Sequence, residues 1–248
     1  MPTFPEIEIK ATADQSNTAY SARFEQTYHS THGAVAESKH VFIDGAGVHD
    51  RLRRGLPTRV LEIGFGLGLN CLLSSDCAAK YRTELTFVSV ENDLISPAIL
   101  EKLNYSPWLE NPALTLDLAG VLQQQYKGAG TEHRLIYSGL LGEYTALELF
   151  STNANKPAFA AALESRAAFH AIYLDAFSPD TNPECWSETF LHWLSSQLDS
   201  NGILATYSVK GAVRRALSSA GMNVRKLPGP PGKREVLQAT LVHQSTPD

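Results

Sequence analysis

From Pro57 onward, apolar strand-like runs alternate with helix-like stretches along the chain. This alternation is typical of a mostly parallel sheet with helices on both faces, because parallel neighbours are joined by crossovers that pack on the sheet. We therefore expect an α/β fold with a seven-stranded sheet. The predicted strands are 58–63, 86–91, 134–138, 171–177, 202–208, 224–227 and 236–243, and the predicted helices are 69–80, 94–103, 183–198 and 212–220.

The two ends of the chain depart from this alternation. The last two predicted strands have no long helix between them, so the final strand is expected to enter antiparallel at the sheet edge. An extra helix is expected within 104–132. Residues 1–56 are polar and contain one strand-like run, 40–44. They are interpreted as an N-terminal extension that covers the ligand site, with 57–248 as the main, Rossmann-like domain.

Composition and charge exclude several classes of protein. The 248 residues are 43% hydrophobic, with neither a signal-peptide pattern at the start nor an apolar run long enough to span a membrane. Three cysteines without a CxxC spacing indicate reduced thiols in the cytoplasm.

The net charge of −5 argues against a protein that coats nucleic acid. Residues 208–234 nevertheless contain no acid. This segment is either a solvated surface or a face that meets an anionic partner. Its basic residues are Lys210, Arg214, Arg215, Arg225, Lys226, Lys233 and Arg234.

A glycine-rich loop joins the first predicted strand to the first predicted helix. Gly64, Gly66 and Gly68 follow a G-x-G-x-G spacing, and Glu62 precedes them. Glycines let the backbone approach a ligand closely, and the helix start offers free N–H groups. A dinucleotide fingerprint would need glycine where Leu69 stands. The loop is instead typical of class I methyltransferases that bind S-adenosyl-L-methionine.

Two acids lie at the carboxyl-terminal ends of predicted strands, at the edge where α/β sheets bind ligands. Glu91 lies about 25 residues after the glycine loop, where a carboxylate can accept both ribose hydroxyls of a cofactor. Asp175 begins a motif with Phe177 and Pro179, in which the ring can stack on a planar group and proline stiffens the exit. A carboxylate beside a methyl donor suits an amine nucleophile, because it can accept the amine's proton. The alternatives are an incidental acid for Glu91 and a turn or helix-capping acid for Asp175.

The motifs together resemble the MnmD-type methyltransferases. The similarity covers residues 20–241, and its most specific string is LDAFSPDTNPECW at 174–186, beside LEIGFGLGLN at 61–70. The family is the methyltransferase half of the bifunctional enzyme MnmC, which finishes 5-methylaminomethyl-2-thiouridine at the tRNA wobble position. The resemblance implies a class I, Rossmann-like fold, S-adenosyl-L-methionine as cofactor and tRNA as partner. It implies no metal and no membrane. At 248 residues, the flavin-dependent oxidoreductase half is expected to be absent, so another enzyme would supply the aminomethyl precursor.

The resemblance also implies roles for individual residues. Asp175 would act as the base and Glu91 would contact the ribose. A Gly142-Glu143 pair is matched to the family's adenine contact, with Glu replacing Asp. The remaining cofactor residues would be Glu62, Gly64, Gly66, Gly68 and Asn70. The substrate residues would be Phe177, Pro179, Lys210, Arg214, Arg215, Lys233 and Arg234.

Two other functions remain open from sequence. A related fold could transfer a methyl or aminopropyl group to a small free amine, without RNA. A degenerate fold could bind RNA without catalysis, although the intact glycine loop argues against this. A metal site built on His29 and His32 is disfavoured because it would need a third ligand, such as the more distant His40 or His49, to converge with them.

Overall fold

The computed structural model describes residues 7–124, 134–164 and 166–242. The chain begins with a small antiparallel sheet of three strands, followed by short helices that pack against the main domain. The strands are β1 (Ile7–Ala11), β2 (Asn17–Ser21) and β3 (Gln26–Thr27). The helices are α1 (Ala34–Ser38), which continues as a π-helical turn over Lys39–Asp44, and α2 (Val48–Arg53).

Among the described residues, the main sheet has eight strands in the order β10-β11-β9-β8-β4-β5-β7-β6. The five central strands run parallel, whereas β6 is antiparallel to β7, and β11 is antiparallel to both β9 and β10. The strands are β4 (Thr58–Ile63), β5 (Leu85–Glu91), β6 (Arg134–Leu141), β7 (Thr145–Ser151), β8 (Phe169–Leu174), β9 (Leu198–Thr206), β10 (Met222–Pro228) and β11 (Glu235–Leu241).

Helices cover both faces of this sheet, each face with its own layer of buried side chains. Local capping explains two helix starts: the Ser96 hydroxyl accepts from the N–H of Ile99, and the Ser187 hydroxyl from that of Phe190. None of the described helices is long and apolar enough to cross a membrane. The helices are α3 (Leu69–Tyr81), α4 (Pro97–Leu103), α5 (Ala113–Gln124), α6 (Pro157–Leu163), α7 (Glu188–Ser196) and α8 (Gly211–Ser219).

The α/β class and the mostly parallel sheet are confirmed, but three details of the prediction were wrong. The prediction has seven strands and the structure has eight, because β7 was not recognised in the sequence. The strand-like run 40–44 is a π-helical turn in which Val41, Phe42 and Ile43 are all buried. An apolar run this short does not distinguish a strand from a buried helix. The final strand does enter antiparallel, but it lies between β9 and β10 instead of at the edge.

Candidate active site

A cavity of about 570 Å³ opens at the carboxyl ends of the parallel strands. Its walls come from the loops that follow β4, β5, β7, β8 and β9, together with part of the N-terminal segment. This is the edge at which α/β sheets bind ligands, and the volume lies within the range of small-molecule cofactor sites.

The glycine loop forms the floor of this cavity. Gly64 and Gly66 line it, with φ angles of +93° and +51° that favour glycine. A Cβ atom on Gly66 would lie 3.2 Å from the ring of Tyr28. Gly68, also at positive φ, precedes the first residue of α3 and packs against Phe65 and Leu118. The loop therefore presents bare backbone to any ligand in the cavity.

Glu91, at the end of β5, faces the cavity beside the loop. Its Oε2 accepts a 2.9 Å hydrogen bond from the N–H of Gly66, and its Oε1 accepts one of 2.9 Å from that of Asp93. Burial, assisted by the charge of Asp93, raises the pKa of the Glu91 carboxyl. Each carboxylate oxygen has a second lone pair, so Glu91 can still accept hydroxyl groups of a bound ribose.

Asp175 follows the last residue of β8 and also faces the cavity. Its N–H donates to the carbonyl of Ile63 at 2.9 Å, which fixes the start of the loop relative to β4. Oδ2 accepts a 2.8 Å hydrogen bond from Nδ2 of Asn70. Burial and the neighbouring carboxyls of Glu62 and Glu37 raise the pKa of Asp175 well above its ordinary value. A carboxylate with a raised pKa is a stronger proton acceptor.

Aromatic rings from the N-terminal segment and from the loop after β8 meet at the cavity. The Phe177 ring stacks on Phe24 at a centroid distance of 4.3 Å and contacts Tyr28 at 4.9 Å. Nε2 of Gln26 donates to the hydroxyls of Ser178 and Thr181, each at 2.8 Å. The N-terminal segment thus lies directly against the loop that follows β8 and contains the Asp175 motif.

An ion pair between Lys233 and Glu37 also lines the cavity. Lys233, on the hairpin between β10 and β11, pairs with the buried carboxylate of Glu37. Its Nζ also lies 4.4 Å from the centroid of the Tyr207 ring, whose hydroxyl donates to the carbonyl of Ala176 at 2.8 Å. Lys233 is therefore held inside the cavity, not on the outer surface.

The other basic residues predicted to bind substrate lie outside the cavity. Lys210 pairs with the exposed Asp180, while Arg214, Arg215 and Arg234 are exposed. They follow β9 or precede β11, so they gather at the same edge of the sheet as Asp175. Pro179 does not line the cavity either.

The structure corrects the assignment of Gly142 and Glu143 as the adenine contact. Both lie in the hairpin that joins β6 to β7, at the amino end of β7 and hence at the opposite edge of the sheet. On the side of β5 away from β4, the parallel neighbour is β7, and the loop after β7 contains Asn153, which does line the cavity. The prediction failed because β6 was assigned the place that β7 occupies.

Sequence reasoning missed several residues that line the cavity. No glycine motif marks Asn92 or Asn153, although the alternating pattern of Thr145–Ser151 could have indicated the strand before Asn153. The residues contributed by the N-terminal segment and by β9 carried no signal of their own. The missed residues are Arg23, Gln26, Tyr28, His29, Glu37, Asn92, Asn153 and Tyr207.

Glu62 and Asn70 lie behind the cavity wall and do not line it. Burial raises the pKa of Glu62 to about 8. The buried His29 is hydrogen-bonded to Thr18, and burial lowers its pKa to about 4. Within 7–124, 134–164 and 166–242, no three potential ligands converge on a metal site.

The residues fit S-adenosyl-L-methionine. Bare backbone at Gly66 and a carboxylate at Glu91 meet at the end of adjacent parallel strands, and together with the sheet order they define a class I methyltransferase fold. The chain belongs to the S-adenosyl-L-methionine-dependent methyltransferase family, whose model matches residues 117–242. The family resemblance inferred from the motifs is thus confirmed, and S-adenosyl-L-methionine is the cofactor.

Several proteins of similar sequence are named MnmC. The chain is 36% identical over 229 residues to the tRNA 5-methylaminomethyl-2-thiouridine biosynthesis bifunctional protein MnmC of Azoarcus sp. (strain BH72), covering 90% of this chain and 34% of that protein. The MnmC protein of Aromatoleum aromaticum is 37% identical over 226 residues, with 88% and 33% covered. The chain thus spans about a third of the length of these curated relatives.

One solved structure is similar along the whole chain. The crystal structure of MNMC2 from Aquifex aeolicus superposes with a TM-score of 0.74 at 26% identity, covering 100% of this chain and 74% of that one.

Proposed function

We propose that the protein is an N-methyltransferase acting on tRNA. It converts the 5-aminomethyl group of uridine or 2-thiouridine at the wobble position to 5-methylaminomethyl, in the cytoplasm. The relatives named MnmC support this substrate, because their similarity to the chain includes the motif around Asp175 and the glycine loop. Another enzyme supplies the aminomethyl precursor.

The observation that carries the proposal is the placement of Asp175. Its carboxylate faces the cavity that also contains Gly66 and Glu91, and the amide of Asn70 holds it there. The proposed base and the proposed cofactor residues therefore share one space. A turn or capping acid would not need to face such a cavity.

The chemistry follows from these positions. When bound, S-adenosyl-L-methionine supplies a methyl group on a positively charged sulfur. An aminomethyl group is protonated near neutral pH, and its nitrogen has no free lone pair in that form. Asp175 accepts one proton from this ammonium, which leaves a neutral amine as the nucleophile. Because the pKa of Asp175 is raised, its carboxylate accepts this proton more readily than an ordinary aspartate would.

The tRNA reaches the cavity along the basic edge of the sheet. Arg214, Arg215 and Arg234 are exposed beside the opening, where they can contact phosphates. Phe177 offers a ring at the opening, although Phe24 already covers one of its faces. In this proposal the N-terminal segment covers the cofactor and presents Phe24 to the incoming nucleotide.

The test is methyl transfer from labelled S-adenosyl-L-methionine into tRNA that carries aminomethyluridine. Nucleoside analysis should show 5-methylaminomethyl product, and tRNA that already carries the methyl group should accept none. Transfer to small free amines at an equal rate would instead favour a small-molecule methyltransferase. Binding of tRNA without transfer in the presence of cofactor would favour a non-catalytic module.

A further inference from the structure

The cavity extends past Asp175 on the side away from the cofactor residues. Strand β8 lies between β4 and β9 in the sheet, so Gly66 and Glu91 lie on one side of Asp175. Tyr207, directly after β9, lines the cavity on the other side, which we call the β9 side. A cofactor held at Gly66 and Glu91 would leave the β9 side to the substrate.

Direct contacts hold the ammonium of Lys233 on the β9 side. It pairs with the carboxylate of Glu37, whose side chain is only 7% exposed. Its Nζ lies 4.4 Å from the centroid of the Tyr207 ring. The Tyr207 hydroxyl in turn donates at 2.8 Å to the carbonyl of Ala176, the residue after Asp175. Lys233 is thus connected by packed side chains to the backbone beside the proposed base.

Both members of this ion pair are also held from behind. The hairpin that carries Lys233 lies against the N-terminal segment, because a Cβ atom on Gly232 would overlap the ring of His32. Oε1 of Glu37 accepts a 3.0 Å hydrogen bond from the N–H of Ser30. The pair is therefore in place before any substrate binds.

The ion pair suits a neutral hydrogen-bond acceptor. An ammonium has three N–H donors, so Lys233 can donate to a ligand while it is paired with Glu37. A phosphate or carboxylate at the same place would lie near the carboxylates of Glu37 and Asp175, which would repel it. A carbonyl oxygen accepts without carrying a charge. Among the described residues that line the cavity, the other lysine or arginine is Arg23, which pairs with Asp93 after β5, on the cofactor side.

The proposed substrate has such an acceptor next to its reacting group. In uracil, O4 is bonded to C4, and the neighbouring ring atom C5 carries the aminomethyl group. When the amine is at Asp175, O4 is therefore the ring acceptor nearest to that carboxylate. The 2-position, where 2-thiouridine carries sulfur, is on the far side of the ring. In cytosine, the oxygen on C4 is replaced by an amino group, which is a donor.

We propose that Nζ of Lys233 donates a hydrogen bond to O4 of the wobble uracil, and that Glu37 is a positioning residue that holds the ammonium there. Lys233 is then a specificity-determining residue. Cytosine would place its amino group against the ammonium, and two donors facing each other would both be left unpaired. The inference rests on the proposed function, because it takes 5-aminomethyluracil as the base that enters the cavity.

The test compares two tRNAs that differ only in the wobble base, which is 5-aminomethyluridine in one and 5-aminomethylcytidine in the other. Wild type should favour the uridine tRNA by at least about 100-fold in kcat/KM for methyl transfer. Lys233→Met keeps the length of the side chain but removes its donors. Its kcat/KM for the uridine tRNA should fall about 10–100-fold, and its preference for uridine should fall by at least the same factor.

Lys226→Met is the matched control. Lys226 is a lysine on the adjacent β10 that also pairs with a glutamate, Glu235, but it does not line the cavity. This variant should keep the rate and the preference of wild type.

Glu37→Gln tests the positioning role. The amide cannot form an ion pair with Lys233, so the preference for uridine should fall as it does in Lys233→Met. Calorimetry should show that both variants bind S-adenosyl-L-methionine with an affinity close to that of wild type. A merely structural Glu37 would lower the melting temperature and leave the preference unchanged, and that result would overturn its positioning role.

The possible failures can be distinguished. Equal transfer to the two tRNAs by wild type, or an unchanged preference in Lys233→Met, would overturn the inference and leave the proposed function intact. Weaker cofactor binding by Lys233→Met would assign Lys233 to the cofactor site and would also overturn the inference. No transfer to either tRNA by wild type would overturn the proposed function, and the inference with it.

Discussion

Gly64 and Asp175 approach so closely that a Cβ atom on Gly64 would lie 2.7 Å from the carbonyl oxygen of Asp175. The first residue of the glycine loop and the proposed base therefore lie against each other across the ends of β4 and β8. This close approach couples the cofactor loop to the catalytic motif, so that neither can be displaced without the other.

Replacing Gly64 by alanine should therefore disrupt the site and destabilise the fold. The substitution adds a steric clash to the strain of a φ of +93°. We expect a cost of about 3 kcal/mol or more, which lowers the melting temperature by roughly 6–12 °C for a chain of this size. Calorimetric melting measures it. Gly55→Ala is the control, because that position is also at positive φ but has open space around it; equal costs would show that the proximity to Asp175 is unimportant.

Glu91→Ala should weaken cofactor binding. The substitution removes the acceptor of the Gly66 N–H and the proposed partner of the ribose hydroxyls. Hydrogen bonds to a charged group contribute about 1.5–3 kcal/mol, so the dissociation constant should rise about 10–100-fold by calorimetry. Glu84→Gln, an exposed acid before β5, should leave it unchanged. An unchanged affinity in Glu91→Ala would remove Glu91 from the cofactor site.

Reversing the charge of Arg214 and Arg215 together should weaken tRNA binding without changing cofactor affinity. Both are exposed outside the cavity, at the edge of the sheet where Asp175 lies, and removing an ion pair with a phosphate makes binding less dependent on salt concentration. Binding measured over a salt series should show a smaller slope in the double variant. Lys102→Glu, on exposed α4, is the control. If the salt dependence of binding has the same slope in wild type, the double variant and Lys102→Glu, the tRNA does not contact Arg214 and Arg215.

His29 should make stability depend on pH below neutrality. Its folded pKa of about 4 lies below the ordinary 6.5, so between these values the unfolded chain binds a proton that the folded protein does not. The contribution of His29 to the free energy of unfolding is therefore present above pH 6.5 and is lost as pH falls, by up to about 1.4 kcal/mol per unit. Denaturant unfolding of wild type and His29→Gln over this range should show the difference, with the exposed His192→Gln as control. If the free energy of unfolding changes with pH equally in wild type and His29→Gln, the predicted contribution of His29 would be wrong.

The central part of the fold could be predicted from sequence because its signals are local. The strand Thr58–Ile63 has its predicted bounds, and the next helix begins at Leu69 as predicted. An apolar run marks the strand, and the glycine loop marks the point where it ends and the helix begins. Strand β6 was predicted, but β7, which returns along it after a tight turn at Gly142, was not recognised as a separate strand. One missed strand shifted the adenine assignment to the wrong edge of the sheet.

The candidate site was predictable only where a motif marks a strand end. Gly66 follows a predicted strand, Glu91 and Asp175 lie near the carboxyl ends of two others, and the structure brings all three to one cavity. Tyr28 and Glu37 reach the same cavity from the N-terminal segment through tertiary packing, which no local pattern encodes. Lys233 was predicted to bind substrate, but its partner Glu37 lies far away in sequence, so the ion pair that holds Lys233 in the cavity could not be anticipated.

The role of Asp175 as the base is tested most directly by the single-turnover rate of methyl transfer to aminomethyluridine tRNA in the variant Asp175→Asn. The amide keeps the size of the side chain but cannot accept a proton, so we expect the rate to fall about 10²–10⁴-fold. Calorimetry should show cofactor and tRNA affinities close to those of wild type. A variant that binds both ligands and transfers the methyl group at the wild-type rate would contradict the assignment of Asp175 as the base.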